Sequence, residues 1–295
     1  MKISKIVALF AQAYTKFPFQ PFKKSLRKLY LNYLISAKGD KTLMEKIDGI
    51  MYELDLSELI DSAIYFRGAA EQGTANVLKF MCNKGFTVFD IGANVGSHTL
   101  PIAKFIGDSG IVYAFEPVPW ALKKLRRNIS LNAYKNIVVE PIGLSDAKNE
   151  AVECKFRASF KVSSKSTGAI NGNLNQEWME ACDDVIVDFQ TIDSYVDCHK
   201  ISKIDLIKLD VDGYEAKVIR GGESSIKRFN PIIVMEIAPD WARANGEDIR
   251  ETIEFLVGVG YVFSTEEFMP VNDILNAVSL IPSGKSINVL ASIPA

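Results

Sequence analysis

Thr87-Val88-Phe89-Asp90-Ile91-Gly92-Ala93-Asn94-Val95-Gly96-Ser97-His98-Thr99 reads as a short apolar strand, an acid at its end, a turn marked by two glycines and the opening of a helix. Gly92 and Gly96 carry no side chain, so a bound molecule can lie against the backbone there. The helix that follows, roughly Ser97 to Phe105, aims its free N–H groups and positive dipole end at that molecule. The stretch is therefore expected to be a cofactor turn.

A dinucleotide fingerprint has the form G-x-G-x-x-G. Here Asn94 stands where the middle glycine would let a pyrophosphate approach, and Asp90 just before the turn repels a pyrophosphate but suits a cation. S-adenosylmethionine (SAM), with its ammonium and sulfonium groups, meets that requirement better than a nicotinamide dinucleotide. The next predicted strand, Ile111-Val112-Tyr113-Ala114-Phe115, runs into Glu116, whose carboxylate can accept hydrogen bonds from both hydroxyls of a ribose. That role is common to both cofactors.

The turn sits in a longer alternation. Strands are expected at 86–91, 111–116, 136–141, 204–210 and 231–236, and helices near 56–65 and 71–82, then at 97–105, 119–132, 214–228 and 247–258. Such alternation predicts an α/β fold with a mostly parallel sheet covered on both faces. Ligands bind such sheets beyond the carboxyl ends of the strands, and Asp90, Glu116, Asp210 and Glu236 each fall at an expected strand end. Asp48-Gly49, between two apolar runs, signals a hairpin. Tyr261-Val262-Phe263 and Ile287-Asn288-Val289-Leu290-Ala291 read as a closing antiparallel pair. Ser159 to Asn175, rich in Ser, Lys, Gly and Asn, reads as a long loop; the stretch 150–185 is either a substrate lid or a plain insertion.

Composition sets bounds. The chain has 295 residues, 48% hydrophobic and 24% charged, with a formal net charge of −2, enough for one large core and without a global pull toward nucleic acid. Residues 1–38 contain eight Lys or Arg and no Asp or Glu, so the remainder is distinctly acidic. The periodicity of residues 1–42 predicts a basic, amphipathic helical extension. It either caps the main domain or docks on an anionic membrane surface. The apolar run after Lys5 is short for a secretory signal. Four scattered cysteines and two histidines argue against a structural zinc site and suit a reducing cytoplasm.

The second informative stretch is Ile204-Asp205-Leu206-Ile207-Lys208-Leu209-Asp210-Val211-Asp212-Gly213-Tyr214-Glu215. Lys208, Asp210 and Asp212 alternate with apolar positions and share one side near the strand end. They form either a functional ion network or a structural ion pair.

Together with Phe89 to Gly96, Ala114-Phe115-Glu116-Pro117, Leu144-Ser145-Asp146, Val218-Ile219-Arg220-Gly221-Gly222, Pro231 to Ile237 and Asn288-Val289-Leu290, this stretch resembles the FkbM-type methyltransferases. These are a branch of the class I SAM-dependent enzymes, and the likeness runs from about Met44 to the C-terminus, giving a domain over 43–295. Asp212 departs from the glutamate common in that family. The resemblance implies a Rossmann-like sheet of seven strands, SAM as cofactor, and O-methylation of a hydroxyl on a sugar, glycan or secondary metabolite. It assigns Asp90, Gly92, Asn94, Gly96 and Thr99 to the methionine end of SAM, Glu116 to the ribose and Asp146 to the adenine side.

Methyl transfer from a sulfonium is an in-line displacement, so placement of the acceptor oxygen is the main task. A sugar hydroxyl also needs help in losing its proton. Asp210 is the expected base, tuned by Lys208 and Asp212. The alternative is a divalent cation held by Asp210 and Glu236, and His98 is a further possible base. The competing functions are an NAD(P)-dependent oxidoreductase and a catalytically silent scaffold on the same sheet.

Overall fold

The computed structural model describes residues 42–157 and 182–294. The basic N-terminal segment and the Ser159 to Asn175 loop lie outside the described residues.

The chain enters through a hairpin, β1 (Thr42–Ile47) and β2 (Ile50–Asp55). Asp48 (φ 48°) and Gly49 (φ 83°) both take left-handed backbone, the geometry that a two-residue turn with matched twist requires. Helices α1 (Leu59–Arg67) and α2 (Gln72–Met81) follow. Then come β3 (Thr87–Ile91), α3 (Thr99–Ile106), β4 (Ile111–Phe115), α4 (Pro119–Ser130) and β5 (Ile137–Glu140). A small second sheet is made by β6 (Gly143–Leu144), β7 (Asn149–Arg157) and β8 (Cys182–Gln190). The rest is α5 (Ile192–His199), β9 (Leu206–Leu209), α6 (Glu215–Arg220), α7 (Glu223–Phe229), β10 (Ile232–Ile237), α8 (Pro239–Ala244), α9 (Ile249–Val259), β11 (Val262–Thr265), β12 (Pro270–Val271), α10 (Ile274–Ser279) and β13 (Ile287–Ser292).

The main sheet runs β12-β11-β13-β10-β9-β3-β4-β5. The five strands from β10 to β5 are parallel, and β13 and β11 close the other edge antiparallel. Seven of these strands form the expected sheet. The eighth, β12, is a two-residue edge paired to β11 through Val271 and Pro270, too short to leave a sequence signal. The order reverses at β3, with β4 on one side and β9 on the other, so the Asp90 turn lies at the switch point where α/β sheets bind ligands.

Burial explains why β3 holds that place. All five of its residues are buried, as expected for a central strand covered on both faces. The Phe89 ring packs against Phe115 at 5.2 Å and Tyr195 at 5.9 Å between centroids, joining β3, β4 and α5 in one core.

Two local expectations are corrected. The helix expected over 214–228 is two helices, α6 and α7, parted by Gly221 and Gly222. A Cβ on Gly221 would lie 2.0 Å from the Ser145 carbonyl oxygen, so the break lets the β6 loop pass. The flanks of the 150–185 stretch, which show no clear periodicity, are two long strands, β7 and β8, paired antiparallel with a bulge between Asn149 and Val152. Among the described residues, no helix is long and apolar enough to cross a membrane.

Candidate active site

The site is built on the carboxyl ends of β3, β4, β9 and β10. Parallel register sets Asp90 opposite Ala114 on one side and Lys208 on the other, and Lys208 opposite Val234. Asp90 is fully buried and Lys208 is 3% exposed. The Thr99 hydroxyl donates to Asp90 Oδ2 at 2.5 Å, so the opening residue of α3 is tied to the end of β3. Lys208 Nζ donates to the Gly92 carbonyl oxygen at 3.0 Å and lies 3.7 Å from Asp90 Oδ1 and 3.4 Å from Asp210 Oδ2. Burial works against the charge on Lys208, but Asp210, Asp90 and Glu71 outweigh it and raise its pKa. It is a fixed ammonium beneath the turn. Burial pushes the Asp90 carboxyl up, opposed by Lys208 and Thr99.

The turn is closed by the chain itself. Gly92 (φ 78°) could carry no side chain, since a Cβ there would sit 1.9 Å from the Asp210 carbonyl oxygen, and one on Gly96 (φ 88°) would meet Leu125 at 2.8 Å. The space that these glycines leave is filled by the β9 exit and by α4. Asn94 takes left-handed backbone (φ 49°), which asparagine tolerates better than most residues.

The turn's N–H groups are largely spent. Gly92 and Ala93 donate to the Phe115 carbonyl, Gly96 to the Ala93 carbonyl, and Asn94 to Glu116 Oε2 at 2.8 Å. A pyrophosphate would need such donors free, so this geometry argues against a dinucleotide. What the turn leaves unpaired is the opposite. Asp90 Oδ1, which faces Lys208 at 3.7 Å, and Asn94 Oδ1 are buried acceptors that receive no hydrogen bond. They fit a ligand that brings its own donors, as the ammonium and hydroxyl groups of SAM do. Glu116 also accepts from the Val118 N–H at 2.8 Å, and burial raises its carboxyl to about 7.

Beyond β9 the backbone leaves the strand alternation. Asp212 has φ 52°, so it leaves the alternation, while Lys208 and Asp210 stay on one side with their charged groups 3.4 Å apart. Lys208 turns inward, Asp210 is 34% exposed, and Asp212 is open to solvent in a cleft whose crowding, with Asp210 beside it, raises its carboxyl to about 6. Glu236 on β10 is raised to about 8 by burial and by Asp210, Glu215 and Asp212 against a hydrogen bond from Ser286. Glu215 is fully buried and braces the loop through Val211 and Gly213 N–H groups, while its Oε2 has no partner.

Two further residues belong here: His98, which the sequence offers as a possible base, and Glu71, which it does not single out. His98 is 4% exposed at the cap of α3, with Nδ1 unpartnered and Nε2 3.9 Å from Glu71 Oε2. Burial, then Lys208, pulls its pKa down to about 3, so the ring is neutral. Glu71, at the start of α2, is half-exposed, and its carboxyl is raised by burial and by Asp210. Its approach is tertiary and has no sequence signal. His98 was visible beside Thr99 but carried no motif. Asp146, after β6, is held by its own partners: Arg220 donates to Oδ2 at 2.7 Å and the Ser145 hydroxyl donates to Oδ1 at 3.2 Å. Among the described residues, no group of three or more His, Cys, Asp or Glu side chains is arranged to hold a metal ion, so Asp210 and Glu236 lack a third protein ligand.

The family described as Methyltransferase FkbM domain matches residues 90–263. Hexuronic acid methyltransferase AglP of Haloferax volcanii is 26% identical over 168 residues, 56% of this chain and 61% of that protein. The tRNA (guanine(37)-N(1))-methyltransferase Trm5b of Pyrococcus abyssi is 34% identical over 104 residues, 35% of this chain and 29% of its own. The chain thus spans less than two thirds of the length of these curated relatives. Among solved structures, the methyltransferase FkbM of Methylobacillus flagellatus KT is 13% identical with a TM-score of 0.45, covering 97% of this chain and 58% of that one.

Proposed function

The chain belongs to the FkbM methyltransferase domain family, and from that premise we propose that it is a SAM-dependent O-methyltransferase whose acceptor is a hydroxyl on a sugar, a glycan or a secondary metabolite. The observation that carries the cofactor half is the turn at 92–96, with most of its donors satisfied internally and two buried acceptors, Asp90 Oδ1 and Asn94 Oδ1, that receive no hydrogen bond. The sugar half is supported by the likeness to a hexuronic acid methyltransferase and by an acceptor side crowded with carboxylates.

Bound SAM supplies an electrophilic methyl group on a sulfonium. Asp90 and Asn94 offer acceptors to its ammonium end, and Glu116 offers carboxylate oxygens to the ribose hydroxyls. Thr99 and Lys208 hold Asp90 and the Gly92 carbonyl in place. Asp210, at the cleft end of β9, takes the acceptor's hydroxyl proton as the oxygen becomes nucleophilic. Lys208 beside it keeps the local charge balanced, and Asp212 lies at the cleft mouth. Proton removal by a placed base is worth roughly 100-fold or more in rate.

Isothermal titration and a radiolabelled methyl-transfer screen on glycans and hydroxylated metabolites test this. The expected result is SAM binding by wild type, loss of that binding in Asp90→Ala, and in Asp210→Asn unchanged SAM affinity with transfer slowed roughly 100-fold. Normal turnover by Asp210→Asn would remove its assignment as the base.

A further inference from the structure

Away from the acid cleft, the start of α1 meets the start of α4. A cavity of about 10 Å³ lies there, lined by Glu58, Ile60, Asp61, Val95, Trp120 and Lys124, with room for one water-sized group. Val95 belongs to the apolar cluster that joins the hairpin to α1, and Ile60 and Trp120 pack against it. Asp61 is 1% exposed. Its Oδ2 accepts from the Asp55 N–H at 2.7 Å and from the Lys124 ammonium. Its Oδ1 is also buried and receives no hydrogen bond. The Nε1–H of Trp120 is buried and has no acceptor. Buried polar atoms are rarely left so, and a buried indole N–H usually finds a partner. One small cavity is thus bordered by a residue with an unfilled acceptor and by a residue with an unfilled donor.

We propose that this cavity is a built site for a single hydroxyl-type oxygen, which accepts from the Trp120 Nε1–H and donates to Asp61 Oδ1. The two unfilled atoms set the chemical class. An ammonium cannot accept from the indole, and a carboxylate has no proton to give Asp61, whereas an O–H group does both. The volume admits one such oxygen. Two sources supply it, a water held from solvent or one hydroxyl of a polyol or sugar. Glu58, Ile60, Trp120 and Lys124 are only half-buried, so the cavity lies near the surface and is within reach of either. Asp61 is carried by α1 and Trp120 by α4, and Leu125 of α4 packs against Gly96. The bridging oxygen therefore ties the first helix to the helix that backs the cofactor turn.

The test uses the full chain, isotopically labelled so that NMR reads its indole N–H groups. The Trp120 resonance is assigned by its loss in Trp120→Phe. Should that variant not fold, Trp178→Phe and Trp241→Phe assign the other two indoles, since the chain has three tryptophans. Dipolar transfer from water to the indole N–H is then measured alone and during titration with glycerol and with methyl glucopyranoside. The ligand-free protein is expected to show a cross-peak between the Trp120 N–H and a water of long residence. Persistence of that cross-peak through the titration assigns the oxygen to solvent. Its replacement by a saturable shift of the Trp120 N–H assigns the oxygen to a polyol hydroxyl. In Asp61→Leu, which offers no acceptor, the cross-peak is expected to vanish, while an unchanged Trp241 resonance shows that the variant is folded. A Trp120 N–H with neither a water cross-peak nor a polyol shift would overturn the proposal, and so would an undiminished cross-peak in Asp61→Leu.

Discussion

Lys208 donates to Gly92 and faces Asp90 and Asp210, so removing its ammonium strands two carboxylates, one of them fully buried. Breaking a buried pair from one side costs about 3–5 kcal/mol. Lys208→Met should therefore lower the unfolding free energy obtained from urea titration by that order and weaken S-adenosylhomocysteine binding, because the Gly92 carbonyl and Asp90 lose their anchor. Unchanged stability in urea titration would show that the lysine is dispensable to the turn. Glu116 makes a second prediction at this scale, with a pH sign. Its folded-state carboxyl is raised from 4.5 to about 7, so the folded protein holds a proton that the unfolded chain has released. That contribution is fully present below 4.5 and is lost as pH rises through about 7. The ligand-free protein should thus lose stability between those values, and Glu116→Gln, which cannot ionise, should flatten that part of the stability–pH curve measured by urea titration. Of the residues in this cleft, Asp90, Glu116 and Asp210 could be picked out from the chain alone, because an acid ending an apolar run is a local pattern. Glu71 could not, since it enters from a helix remote in sequence.

At the level of elements, the turn and the helices around it depend on each other sterically. Gly92→Ala would press a methyl group against the Asp210 carbonyl at a left-handed φ of 78°. Overpacking and backbone strain together should cost about 3 kcal/mol, seen as a fall in thermal midpoint together with lost cofactor affinity. The hairpin is held by side chains that imitate a neighbouring strand. Asn128 on α4 accepts from the Glu53 N–H at 2.9 Å and donates to the Val95 carbonyl at 2.9 Å, and Asn132 makes the matching pair with Met51. Asn128 is fully buried. Asn128→Ala leaves two backbone groups unsatisfied and should cost about 2 kcal/mol or more, with S-adenosylhomocysteine affinity falling too because Val95 belongs to the turn. A loss of stability with unaltered affinity would separate the hairpin from the site. The alternation of strand and helix, and the Asp48-Gly49 hairpin, were legible because each rests on local periodicity or turn chemistry. The arms β7 and β8 were not, since they pair in a small separate sheet, and the break at Gly221 is imposed by the remote Ser145 loop.

Across the whole molecule, the core that orders the cleft is continuous with the strands that carry it. Phe89, Leu209, Val218, Met235 and Ala291, from opposite ends of the described chain, belong to one apolar cluster, so a ligand at the strand ends is coupled to unfolding of the sheet as a unit. A ligand bound to the folded state alone stabilises by an amount that grows with the logarithm of its concentration, about 4 kcal/mol at a thousandfold excess over Kd. S-adenosylhomocysteine should therefore raise the thermal midpoint progressively with concentration. NAD should leave it unmoved, because the N–H groups that would receive its pyrophosphate already bond to Phe115, Ala93 and Glu116. Scanning fluorimetry with both ligands checks this directly. A concentration-dependent rise with NAD would mean that the turn reopens its internal hydrogen bonds to a phosphate, and the physical basis for preferring a cationic adenosyl donor at Asp90 would be gone.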